Sequence, residues 1–108
     1  MQIFRMNESD STMRRFFLFL VDATDGITPE LAEANGQPQI SINGAGFNNT
    51  GGLLVAIGNG AYYVALTQSE VSAKGFFLVR YKSANTAEFQ SLGHVTGIEL
   101  YRIGVGAS

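Results

Sequence analysis

The chain has 108 residues, with charged residues at only 15%, a formal net charge of −2 and no cysteine. One domain of ordinary size accounts for that length. The charge excludes an electrostatic draw toward nucleic acid, and the missing thiols exclude disulfides and thiolate metal sites.

Thirteen glycines, eight phenylalanines and four tyrosines point to short strands joined by tight turns. Residues 1–12, with the polar stretch Asn7-Glu8-Ser9-Asp10-Ser11, read as an N-terminal arm carrying at most a short strand at residues 2–6. The domain proper is expected over residues 13–108.

Residues 14–22 form the strongest strand pattern. Phe17, Phe19 and Val21 share one face, and Phe16, Leu18 and Leu20 share the other. A half-buried strand leaves one face polar, whereas here both are apolar, so cover is expected on both sides. The preceding Arg14-Arg15 gives the segment a superficial likeness to an export signal. Its apolar run ends after six residues at Val21, before Asp22 and Asp25. A signal needs about seven or more apolar residues and a membrane span about 20, so a buried strand is the reading and no membrane partner is expected. Burying six such residues contributes on the order of 10 kcal/mol before entropy. Exposed, they invite aggregation, with Arg14, Arg15 and Asp22 as flanking guards.

Asp25-Gly26 breaks the chain, and residues 28–36 make a connection in which Pro29 is placed to open one helical turn. A second strand is expected at residues 39–43, and the glycine- and asparagine-rich residues 44–52 form a loop. Residues 53–58 and 61–66 make the clearest hairpin, because Gly58-Asn59-Gly60 supplies the positive φ angles of a tight reversal. Thr67-Gln68-Ser69-Glu70 has capping-box spacing for one helical turn. Residues 76–82 return as a strand with Phe77, Val79 and Tyr81 on one face. Residues 83–87 turn, and a last pair of strands is expected at 88–94 and 97–105. The sum is an all-β, immunoglobulin-like antiparallel β-sandwich of about seven strands with one short helical turn.

Reactive groups do not cluster. His94 is the lone histidine, without cysteine or grouped carboxylates near it in sequence; general-base and metal roles both need such partners. Asp22 and Asp25 flank a turn but lack calcium-loop spacing. Gly44-Ala45-Gly46 is too short to cradle a phosphate, and Ser41, Ser69 and Ser72 lack a nucleophile elbow. Tyr63, Phe76 and Phe89 are candidates for a stacking surface, with Arg80 and Lys82 alone nearby. No catalytic, cofactor or metal residue is assigned, no small-molecule substrate is expected, and the chain does not read as an enzyme. The candidate interface is Phe16, Phe17, Leu18, Phe19, Leu20 and Val21, with Tyr63 and the C-terminal Ile103 and Val105, through which the domain is expected to self-associate.

Three stretches occur in order: Gly26-Ile27-Thr28-Pro29, Ile40-Ser41-Ile42-Asn43-Gly44-Ala45-Gly46-Phe47, and Val55-Ala56-Ile57-Gly58-Asn59-Gly60-Ala61-Tyr62-Tyr63-Val64-Ala65-Leu66-Thr67. Glu70 and Gly75-Phe76-Phe77-Leu78-Val79 follow. Across residues 14–82 this resembles an immunoglobulin-like domain of tailed-bacteriophage virion proteins, similar to the N-terminal domain of baseplate upper, tail-fibre and neck proteins. Family members often carry tryptophan after the hairpin glycine, where this chain has Ala61. The resemblance implies a structural protein of the virion, assembled in the host cytoplasm and bound to other virion proteins at the neck or head fibre, the capsid surface, or the tail and baseplate. The alternative is a carbohydrate- or host-receptor-binding module using Tyr62, Tyr63 and the loop at residues 44–52.

Overall fold

The structure is a computed structural model, described here for residues 1–97. Eight strands form two packed sheets: β1 (Gln2–Arg5), β2 (Arg15–Phe19), β3 (Gln39–Ile42), β4 (Asn48–Asn49), β5 (Val55–Gly58), β6 (Ala61–Ala65), β7 (Gly75–Tyr81) and β8 (Phe89–Thr96). One sheet has the order β1-β8-β7-β3-β4 and the other β2-β6-β5. This connectivity is that of an immunoglobulin-like sandwich: β2-β6-β5 take the places of strands B-E-D, and β4-β3-β7-β8 those of C′-C-F-G. Two 3-10 turns, Ser11–Arg14 and Ser69–Val71, are the only helical pieces among the described residues.

Local chemistry explains the turns. Gly58, Asn59 and Gly60 all have positive φ, so β5 reverses into β6 as the sequence pattern predicts. A Cβ on Gly60 would press on Pro29 and the Leu20 carbonyl. The Thr67 Oγ1 accepts from the Glu70 N–H while the Glu70 carboxylate accepts from the Thr67 N–H. This reciprocal capping box opens the 3-10 turn on the connection from β6 to β7. The connection at residues 28–36 contains no helical turn: Pro29 instead bridges Val21.

The core is bridged by three rings. Phe16 of β2 lies 5.7 Å from Phe77 of β7, and Phe4 of β1 contacts both, at 6.1 and 5.6 Å. Immunoglobulin domains often join the strands equivalent to β2 and β7 by a disulfide; here aromatic packing occupies that position. Gly93 makes room for it, since a Cβ there would meet the Phe77 ring.

The short strand expected within residues 2–6 forms as β1, and it joins a sheet of the domain. β1 adds parallel to β8, with Ile3 opposite His94, and buries Phe4. The pairing lies some ninety residues away in sequence and is the one parallel pair among the described strands. The linker is also fixed: Asn7 N–H donates to the Val71 carbonyl, and Arg14 donates to the carbonyls of Leu66 and Glu8. Arg14 is thus a tether between turns rather than a strand guard. The expected C-terminal strand at residues 97–105 lies outside the described residues, Gly97 excepted.

Candidate protein interface on the three-stranded sheet

β2 is an edge strand. Its hydrogen-bonded partner is β6, in the register Arg15–Ala65, Phe16–Val64, Phe17–Tyr63, Leu18–Tyr62 and Phe19–Ala61. Side chains alternate between faces, so Phe16, Leu18 and Leu20 point inward and are at most 1% exposed. These three candidate interface residues are core residues, closed to a partner. The cover expected on both faces exists on one only. Phe17 and Phe19, at 50% and 70% exposure, stand on the outside, and Val21 is half-buried at a bridge.

Cross-strand register assembles these outward residues into a patch. Phe17 is opposite Tyr63, which is opposite Val55, so one apolar row crosses all three strands. The Phe17 and Tyr63 rings are 6.2 Å apart. Phe19 stands two positions on, opposite Ala61. Ile57, exposed at the β5 bulge, and Leu53 add apolar surface nearby. Arg15 lies over the Tyr63 ring at 4.3 Å, so a cation stacks on the central ring of the row. Scattered apolar residues are ordinary on a surface, whereas a contiguous apolar row is what makes this face a candidate interface.

The free edge of β2 is closed differently. The Gln2 side-chain amide donates to the Phe17 carbonyl at 2.9 Å and accepts the Phe17 N–H at 2.8 Å. It occupies the place that another strand would take at this position of the edge, and leaves Phe17 and Phe19 accessible on the outer face.

The other candidates do not converge. Tyr63 is on the three-stranded sheet and Phe76 on the outside of the five-stranded one, while Phe89 packs against the core, so no common stacking surface forms. Tyr62 is 1% exposed; its hydroxyl donates to the Glu30 carbonyl and accepts the Glu33 N–H. It is unavailable to a ligand. His94 lies within β8 rather than at a strand end, its ring 4.6 Å from Phe76. Asp25 receives hydrogen bonds from Ile27 N–H and from Thr28, with the Thr28 hydroxyl the main cause of a carboxyl pKa lowered to about 2; it is a turn-forming residue. No group of three or more metal-ligating side chains occurs among the described residues, and no helix there is long and apolar enough to cross a membrane. Ile103 and Val105 lie outside the described residues.

Sequence reasoning missed Gln2 and Glu33. Glu33 is buried, and its carboxylate accepts the Tyr81 hydroxyl at 2.6 Å. Burial, then this carboxylate, pushes the Tyr81 phenol up to about 12. A carboxylate in a polar connection gives no sequence signal for such burial. No protein-family model, curated protein or solved structure matches the chain.

Proposed function

We propose that this domain is a structural component of a tailed-bacteriophage particle, held among other virion proteins by the outer face of its three-stranded sheet. The carrying observation is the row Phe17–Tyr63–Val55 with Phe19 beside it, an apolar surface on a sheet whose nearest free edge is capped. Covering the exposed parts of Phe17 and Phe19 stabilises an assembly by roughly 1–2 kcal/mol each. The motif resemblance at residues 14–82 supplies the setting, and a virion supplies repeated copies against which such a face is buried. Further copies of this chain are among the partners in this reading. The role is one of binding, with no reaction assigned.

The test is incorporation. Particles produced with Phe17→Ser and Phe19→Ser should carry at least about tenfold fewer copies, since about 1.4 kcal/mol suffices for that factor. The isolated domain should stay folded with only a modest loss of stability, because both side chains are outside the core and lose only cross-strand contacts. Normal copy numbers by quantitative mass spectrometry would refute the proposal.

A further inference from the structure

The opposite sheet carries a surface of a different kind. Asn49, Gln39, Arg80 and Gln90 stand in register across β4, β3, β7 and β8. They form a polar row on the outside of the five-stranded sheet. The Gln39 amide oxygen accepts from Arg80 Nε at 2.9 Å, and its nitrogen faces the Asn49 side-chain oxygen at 3.4 Å. Gln90 donates to the Glu88 carboxylate at 2.7 Å. Beside the row is a depression of about 440 Å³ lined by Gln37, Gln39, Arg80, Tyr81, Lys82 and Glu88. Its size suits one sugar ring.

Arg80 is held before any ligand arrives. Its guanidinium stacks on the Phe47 ring at 3.8 Å while Nε is fixed by Gln39. Among the described residues, no hydrogen bond engages its terminal nitrogens, and neither Arg80 nor Lys82 is ion-paired. A fixed planar guanidinium with free terminal donors is a carboxylate-recognising group. Glu88 adds an acceptor that a carboxylate alone does not use but a sugar hydroxyl does. Two cations, one carboxylate and two amides in one depression match a ring bearing both a carboxylate and hydroxyls.

We propose that this depression binds an acidic sugar, its carboxylate on Arg80 and Lys82 and its hydroxyls on Glu88 and on the amide oxygens of Gln37 and Gln39, whose nitrogens already donate to Pro38 and Thr50 and to Asn49. This proposal stands apart from the assembly face, which lies on the other sheet.

The test is titration of the full chain with glucuronate, followed by side-chain amide and guanidinium nitrogen signals in NMR. The expected result is a saturable shift at Arg80 Nε and at the Gln37 and Gln39 side-chain amides. Glucose, which lacks the carboxylate, and acetate, which lacks the ring, should each bind at least tenfold more weakly. Arg80→Lys should weaken glucuronate binding about tenfold because a point charge replaces the fork. Lys82→Ala, at an exposed position, should weaken it several-fold with the amide spectrum otherwise unchanged. Three results would overturn the proposal: no saturable shift up to about 50 mM, equal binding of glucose or acetate, or unaltered glucuronate affinity in both variants.

Discussion

Gln2 closes the free edge of β2 at Phe17 by offering its amide as a surrogate peptide. In an antiparallel pair, alternate residues direct their backbone groups away from the partner strand; Phe17 is the middle such residue of β2. Gln2→Ala therefore removes two solvent-accessible hydrogen bonds and reopens the edge. The expected loss is about 1 kcal/mol of stability, with a rise in self-association. Chemical denaturation and light scattering on one sample report both effects.

Phe4 decides whether the first residues belong to the domain. Its ring meets Phe16 and Phe77 in the bridge between sheets. Phe4→Ala should cost roughly 3–5 kcal/mol, as for other buried aromatic truncations. A detached arm would give a change near zero in the same urea titration.

Gly93 and Phe77 are a matched pair. Gly93→Ala drives a methyl group into the Phe77 ring, and about 1–3 kcal/mol of destabilisation is expected from the overpacking. Combining it with Phe77→Leu should cost less than the sum of the two single changes, because the smaller side chain yields the space. A double-mutant cycle by thermal unfolding checks the coupling.

Tyr81 makes stability depend on pH at the alkaline end. Burial, then the Glu33 carboxylate, raises its folded-state pKa from 10.0 to about 12. Between those values the folded chain holds a proton that the unfolded chain has released, so stability falls as pH rises through this window. The contribution is fully present below pH 10. Tyr81→Phe should flatten that part of the profile. At neutral pH it should cost roughly 1–3 kcal/mol, because the buried Glu33 carboxylate loses a donor. Thermal midpoints measured across the alkaline range test both statements.

Much of the sandwich was legible because its signals are local. Gly58-Asn59-Gly60 declares the hairpin, Thr67 and Glu70 the capped turn, and the alternation of Phe77, Val79 and Tyr81 the inner face of β7. What escaped depends on distant partners. Nothing near Gln2–Arg5 announces a parallel pairing with β8, and a two-residue strand at Asn48–Asn49 is too short for any period. The candidate interface was half legible. Both faces of β2 are equally apolar in sequence, and only pairing with β6 settles that Phe17 and Phe19, not Phe16, Leu18 and Leu20, reach the surface. Glu33 lies buried because two tyrosine side chains from distant strands meet it, one hydroxyl at its N–H and one at its carboxylate.

The central claim is that the outer face of β2, β6 and β5 is where this domain meets another protein. With the domain in the phage particle proposed above, electron cryomicroscopy of that particle tests it most directly. The prediction is density in which Phe17, Phe19 and Tyr63 lie against a neighbouring chain. A particle in which those three side chains face solvent, while the domain is held by another surface, would contradict it.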